Sequence, residues 1–311
     1  MTKNENTTGR QQQPRPLEEL NLIDDFLFQE ILLQEGDGEE FCRILLSTIL
    51  NRPIRKVRIM PQKNVLGIDT DRHGIRMDAY IEDISGGEDL QGMQIDAQIM
   101  PDIYDVEPNN RYEKQTLPKR TRYYHGLIDT QLLAAGIDYD KLQNVVTIII
   151  LPYDPFDKKR MVYTIQNQCV EDPSIPYDDG AKKIFLYTKG TEGNPSQALR
   201  DMLKYIQKTT ADNVTNRDIE TIHHLVKKVK SRKEVGINYM KSWELERIYR
   251  EEGREEGREE GRQEGREEGI RALITTCQEF HASKDETISR LREKFAISDD
   301  AAREYVEEYW E

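Results

Sequence analysis

Two acidic residues about thirty positions apart, Asp78 and Glu107, stand in segments with strand character. Asp78 lies in Gly74-Ile75-Arg76-Met77-Asp78-Ala79-Tyr80, and Glu107 in Tyr104-Asp105-Val106-Glu107-Pro108-Asn109. A basic, aromatic segment follows, Leu117-Pro118-Lys119-Arg120-Thr121-Arg122-Tyr123-Tyr124. Hydrolysis of a phosphodiester needs charge neutralised on the non-bridging oxygens and a water made nucleophilic. A carboxylate-bound Mg²⁺ (or Mn²⁺) supplies both, and carboxylates are the hard oxygen ligands it takes. Two carboxylates beside a cationic helix match that chemistry. By spacing alone, the pair also reads as two solvated carboxylates among 58 acids.

The elements that must position these residues show in the hydrophobic pattern. Ile75, Met77, Ala79 and Ile81 alternate with Arg76, Asp78 and Tyr80, which is period two and predicts a strand. Asp78 then shares a face with Arg76 and Tyr80. Residues 102–107 form the next strand, with Asp105 and Glu107 on one face, and Pro108, lacking an N–H, ends it or marks an edge. Adjacent strands lie about 4.8 Å apart, so the Asp78 and Glu107 side chains can meet. Pro118 suits the first turn of a helix, which places Arg120, Tyr124, Leu127 and Gln131 on one side. The apolar run Val145–Leu151 predicts a central buried strand, with further strands at Met161–Ile165 and Ile184–Tyr187. Upstream, helical spacing begins at Leu20 with Ile23, Leu27 and Ile31. A second helix opens at Asp37 as N-cap with Glu40 three residues on. Strand–helix–strand order over 75–151 predicts a mixed α/β domain with a partly parallel sheet.

Composition narrows the class. The chain has 311 residues, 36% hydrophobic and 33% charged, enough for one sizeable core with appendages. No apolar run reaches about 18 residues, so no membrane span is expected, and the polar start lacks a signal region. Three scattered cysteines (Cys42, Cys169, Cys277) fit a reducing cytoplasm, and no CxxC or His pair suggests zinc. Taken alone, the net charge of -13 argues against nucleic acid. Yet residues 251–269 hold nine Glu and four Arg, and 270–311 hold ten acids and six bases. The first 250 residues therefore carry only -4 and include two basic islands. One is Arg52, Arg55, Lys56, Arg58 and Lys63. The other is Arg111, Lys114, Lys119, Arg120 and Arg122. A local basic face matters more to a polyanion than net charge.

The order of these segments resembles the PD-(D/E)XK nuclease superfamily, and within it the recombination-promoting nuclease and transposase-like branch. The resemblance rests on Asp24-Asp25-Phe26-Leu27-Phe28, the strand around Asp78, Tyr104-Asp105-Val106-Glu107 and Leu117–Tyr124. It continues through Gly136-Ile137-Asp138-Tyr139, the apolar strand ending Tyr153-Asp154-Pro155-Phe156, and the C-terminal Glu-Gly-Arg repeats. It covers roughly residues 20–290. It implies a restriction-endonuclease-like mixed sheet flanked by helices, and Mg²⁺-dependent DNA cleavage. Asp78 and Glu107 become the metal-binding motif acids and Asn109 the third motif position. A Lys or Gln is common there, and Asn can orient a water but adds no charge. Chemistry is therefore weak or lost, or Arg120 supplies the missing cation. A rival alignment places the second acid at Asp96, with Gln98 in the third position. Glu107 is preferred because the basic helix lies closer behind it.

Lys119, Arg120 and Arg122 read either as exposed helix charges or as holders of the DNA backbone near a helix N-terminus. Tyr123 and Tyr124 read as packing or as base-stacking platforms. Asp24 and Asp25 read as a cap, a surface charge or one more acidic ligand. Cutting both strands takes two sites, which makes a homodimer an expectation.

The expected organisation is a disordered 1–16, a nuclease-like domain over 17–190 and a helical extension over 191–250. A Glu-Glu-Gly-Arg spacer over 251–269 and a helical segment over 270–311, broken near Ser283 and Ser298, complete it. In the repeat, period four puts Glu and Arg at helical contact distance, worth roughly 0.2–0.5 kcal/mol per pair. Each Gly opposes this by about 1 kcal/mol. A solvated, frayed helical spacer is the first reading, and a helix that contacts a protein partner the second.

Overall fold

Val145–Leu151, apolar but for Thr147, can be buried on both sides only at the centre of a sheet, and in the computed structural model of the chain all seven residues are buried. The structure describes residues 14–65, 75–85, 101–133 and 136–310. Six strands form one mixed sheet: β1 (Val57–Val65), β2 (Ile75–Asp83), β3 (Asp102–Pro108), β4 (Val145–Leu151), β5 (Val162–Ile165) and β6 (Ala181–Tyr187). Their order is β1-β2-β3-β4-β6-β5. β3, β4 and β6 run parallel, while β1, β2 and β5 pair antiparallel to their neighbours.

Alternation along β3 and β4 separates two faces. Tyr104, Val106, Val146, Ile148 and Ile150 belong to the main core. Helices α1 (Asp25–Leu32), α2 (Asp37–Leu50), α4 (Gln197–Gln207) and α5 (Arg217–Lys230) cover it, contributing Leu27, Phe41, Met202 and Val226 among others. The opposite face is covered by α3 (Leu117–Leu132) alone among these helices. There Tyr80, Ile103 and Val145 pack against Leu127 and Ile128, and Ile149, Leu151 and Phe185 against Leu117.

Several expectations shift. The first α-helix begins at Asp25 rather than Leu20, because residues 21–24 form a turn in which Asp24 accepts the Asn21 N–H at 2.7 Å. The cap of α2 is not Asp37 with Glu40. Gly36, at φ +76°, precedes the helix and its N–H is taken by Glu39 at 2.8 Å, while Glu40 pairs with Arg43. The first basic island is carried partly by β1, an edge strand whose polar outer positions hid its period. Met77 and Tyr80 share one apolar cluster, so strict alternation fails at this end of β2. There the β1 register passes over Gln62, which sits at φ +53°.

Residues 1–239 and 240–311 form two compact units. Helix α6 (Lys233–Glu279) begins in the first and runs unbroken through the repeat, whose side chains are exposed from 251 to 268. In the second unit, Ile270 and Ile274 pack with Ile288 and Leu291 of α7 (Lys284–Phe295) and Ala302 and Val306 of α8 (Asp299–Tyr309). Ser283 and Ser298 cap α7 and α8, at the two expected breaks. Four repeat glycines have open space where a Cβ would stand. Gly269 instead faces the Phe295 ring at 3.2 Å. Among the described residues no helix is long and apolar enough to cross a membrane. The expected disordered segment lies outside the described residues except at 14–16.

Candidate active site

The candidate residues converge where β2 and β3 meet beneath the start of α3. The β2–β3 register pairs Ala79 with Val106 and Tyr80 with Asp105. One further step brings Asp78 opposite Glu107. Both expected acids therefore stand at neighbouring strand positions. Gln29, from α1, donates its Nε2–H to Asp78 Oδ1 at 2.5 Å. Glu107 is 5% exposed and receives Arg120 Nη2 at 3.0 Å.

A third acid stands two residues before Glu107 on β3. Asp105 faces the same way as Glu107, is completely buried, and neither carboxyl oxygen has a hydrogen-bond partner among the described residues. Its neighbour across β4 is Thr147, also fully buried with an unpartnered hydroxyl. Sequence alternation had put Asp105 on this face but assigned it no role. The missed signal was an acid at an interior strand position, where burial without a partner costs several kcal/mol if the group stays ionised.

Burial and crowding of like charges set the protonation. Burial, with the Asp78 charge added, pushes the Asp105 carboxyl up to about 8 against the pull of Arg120. Burial and Asp105 hold Glu107 well above the usual carboxylate range, again opposed by Arg120. Two buried carboxyls this close resist being ionised together unless a cation joins them.

Arg120 is the resident cation. It bridges Glu107 and Glu113, and its guanidinium lies 5.6 Å from the Tyr124 ring centre. Tyr124 is half-buried, with burial pushing its hydroxyl up to about 12, so it packs against Arg120 instead of presenting a free ring. Lys119 and Arg122, on the same helix, are exposed and turned away from the acids. The helix face towards the sheet is Leu117, Thr121, His125 and Ile128. His125 is held down to about 4 by burial and by Lys183.

Asn109 is buried at the end of β3, its N–H donating to Ile150 O at 2.8 Å. Its side-chain oxygen accepts the Arg111 N–H at 3.0 Å, and its Nδ2 reaches Glu113 at 3.4 Å. Both ends of the amide thus tie the 109–113 turn, a positioning task distinct from the water-orienting one expected of it. Asp24 pairs with Arg15 and accepts Asn110 Nδ2 at 3.4 Å, so it joins the rim of this region as a structural charge. The rival acid Asp96 and its Gln98 lie outside the described residues.

The donor set suits a hard cation. Glu107 and Glu113 share one guanidinium, and Asp105, which burial keeps protonated near neutral pH, has no hydrogen-bond partner among the described residues. Among the described residues no three His, Cys, Asp or Glu side chains converge on one metal position. The ligands on offer are therefore the pair Asp78 and Glu107, with Asp105 two residues before Glu107 on the same strand. No family model matches the chain, and no curated protein or solved structure matches it.

Proposed function

We propose that the chain is a Mg²⁺-dependent DNA endonuclease with a restriction-endonuclease-like core, of the recombination-promoting, transposase-like type. The observation that carries this reading is the carboxyl set on two paired strands, with Asp105 buried and unpartnered among the described residues and Arg120 bound to Glu107. A bound Mg²⁺ or Mn²⁺ would supply charge neutralisation and an acidified water. Asp78 and Glu107 would hold it. Asp105, neutral until a cation displaces its proton, would add a further carboxylate beside them. Gln29 orients the Asp78 carboxylate, and Asn109 fixes the turn that carries Glu113. Arg120, anchored by Glu113, would supply the cation that a scissile phosphate needs. Lys119 and Arg122, exposed on α3, would contact the DNA backbone further out. Two-strand cleavage would pair two copies of the chain, and the exposed repeat on α6 could engage a protein partner.

A second reading, a nuclease-fold module that binds DNA or protein without cutting, is favoured by the direct Arg120–Glu107 pair, which already neutralises one motif acid. Plasmid nicking separates the two. Wild-type protein should nick supercoiled DNA with Mg²⁺ or Mn²⁺, and Asp78→Ala should abolish it while thermal unfolding stays cooperative. Absence of nicking with any divalent metal, or equal nicking by the variant, would sink the enzyme reading.

A further inference from the structure

The turn that carries Glu113 also presents a ring that the acidic site does not use. Tyr112 is 73% exposed. An exposed tyrosine is ordinary by itself. This one is held from behind: its ring centre lies 4.9 Å from that of Tyr153, at 54° between planes. Tyr153 stands two residues past β4, and its hydroxyl accepts the Glu113 N–H at 3.2 Å. The backbone on the other side is tied by Asn109, which accepts the Arg111 N–H and is anchored to β4 through Ile150. Tyr112 is therefore a pre-positioned ring, tilted against Tyr153 on one side and largely exposed to solvent.

Its place relative to the site is set by the next residue. The Glu113 carboxylate binds Arg120, which binds Glu107, so Tyr112 stands beside the chain of contacts leading to the carboxyl pair. Arg111, exposed on the other side, adds a cation suited to a phosphate. An open aromatic flanked by a guanidinium is the pairing that binds an unpaired nucleotide, the base on the ring and the phosphate on the charge. A base inside a duplex has its faces covered by its neighbours and cannot use such a ring without leaving the stack. Tyr123 and Tyr124, the rings the sequence points to first, are less suited. Tyr124 lies against Arg120, and Tyr123 is 41% exposed on α3, away from this turn.

We propose that Tyr112 is a base-stacking residue that directs the site to an unpaired nucleotide, making single-stranded or locally opened DNA the preferred substrate. This inference rests on the nucleic-acid reading above, but not on cleavage. The test measures fluorescence-anisotropy binding of the full chain, with Ca²⁺ replacing Mg²⁺, to a labelled single strand, the same strand made abasic, and its duplex. Wild-type protein should bind the intact single strand tightest. Tyr112→Ala should weaken that binding by roughly tenfold or more, within the range seen for lost base stacking. It should leave abasic and duplex binding unchanged, and Tyr112→Trp should restore the preference. Equal affinity of wild type for all three probes, or a uniform loss across them in Tyr112→Ala, overturns the proposal. A stacking preference without Mg²⁺-dependent nicking would refute the endonuclease and leave this inference standing. Nicking without the preference would do the reverse.

Discussion

The two faces of the central sheet obey different rules. On the side of α1, α2, α4 and α5, the β3 and β4 residues Tyr104, Val106, Val146, Ile148 and Ile150 pack against aliphatic and aromatic side chains. On the α3 side, the same two strands turn Asp105, Glu107 and Thr147 inward, among residues that include His125 and Arg120. One face maximises apolar burial, the main stabilising term of the fold. The other buries groups that destabilise an isolated chain. A core would not retain unpartnered Asp105 for stability, since an apolar residue of similar size costs less. The contrast makes the α3 face the candidate site for the proposed chemistry.

The largest expected effect falls on that face. Asp78→Ala should reduce Mg²⁺-dependent plasmid nicking below detection, with little change in unfolding midpoint. The opposite face should answer in the opposite currency. Ile148→Ala, at a fully buried position, should lower stability by about 2–5 kcal/mol in urea unfolding. Nicking by the fraction that remains folded should persist. If both variants lose activity and stability alike, the division between faces fails.

Asp105 sharpens the comparison through pH. The unfolded carboxyl titrates near 3.9, whereas in the folded chain it is pushed up to about 8. The folded form therefore keeps a proton that the unfolded form has lost. This group's contribution to stability is fully present below about pH 4 and is lost as pH rises towards 8. Asp105→Asn should remove that slope in cation-free buffer and leave the variant more stable than wild type at pH 8, because an amide has no proton to lose. A variant less stable than wild type at pH 8 would show that the carboxylate has a partner there. The smallest effect belongs to the outer side of α3. Arg122→Ala should weaken DNA binding evenly across sequences and reduce the slope of log affinity against log salt by about one.

The legible parts of this molecule were those whose pattern is local. The apolar run 145–151, the alternation around Asp105 and Glu107, Pro118 in the first turn of α3, and the caps Ser283 and Ser298 all follow from nearest neighbours along the chain. The illegible parts depend on residues distant in sequence. β1 is an edge strand with polar outer positions, so its period was masked. The α2 cap moved to Gly36 because a left-handed residue, not a side-chain oxygen, opens that helix. Arg120 and Tyr124 were on the correct helix side. That Arg120 is held by Glu107 and Glu113, and Tyr124 by Arg120, needed the packed site.

The sequence by itself determined the α/β class, the helical C-terminal region and the two strands that carry Asp78 and Glu107, because strand and helix periods are local properties of the chain. Only the tertiary structure decided that Asp105 lies buried without a partner beside Glu107, that Gln29 crosses from α1 to Asp78, and that Tyr112 rather than Tyr124 presents an open ring. Burial, charge coupling and ring packing depend on which segments meet in space, and the chain writes those meetings only in its fold.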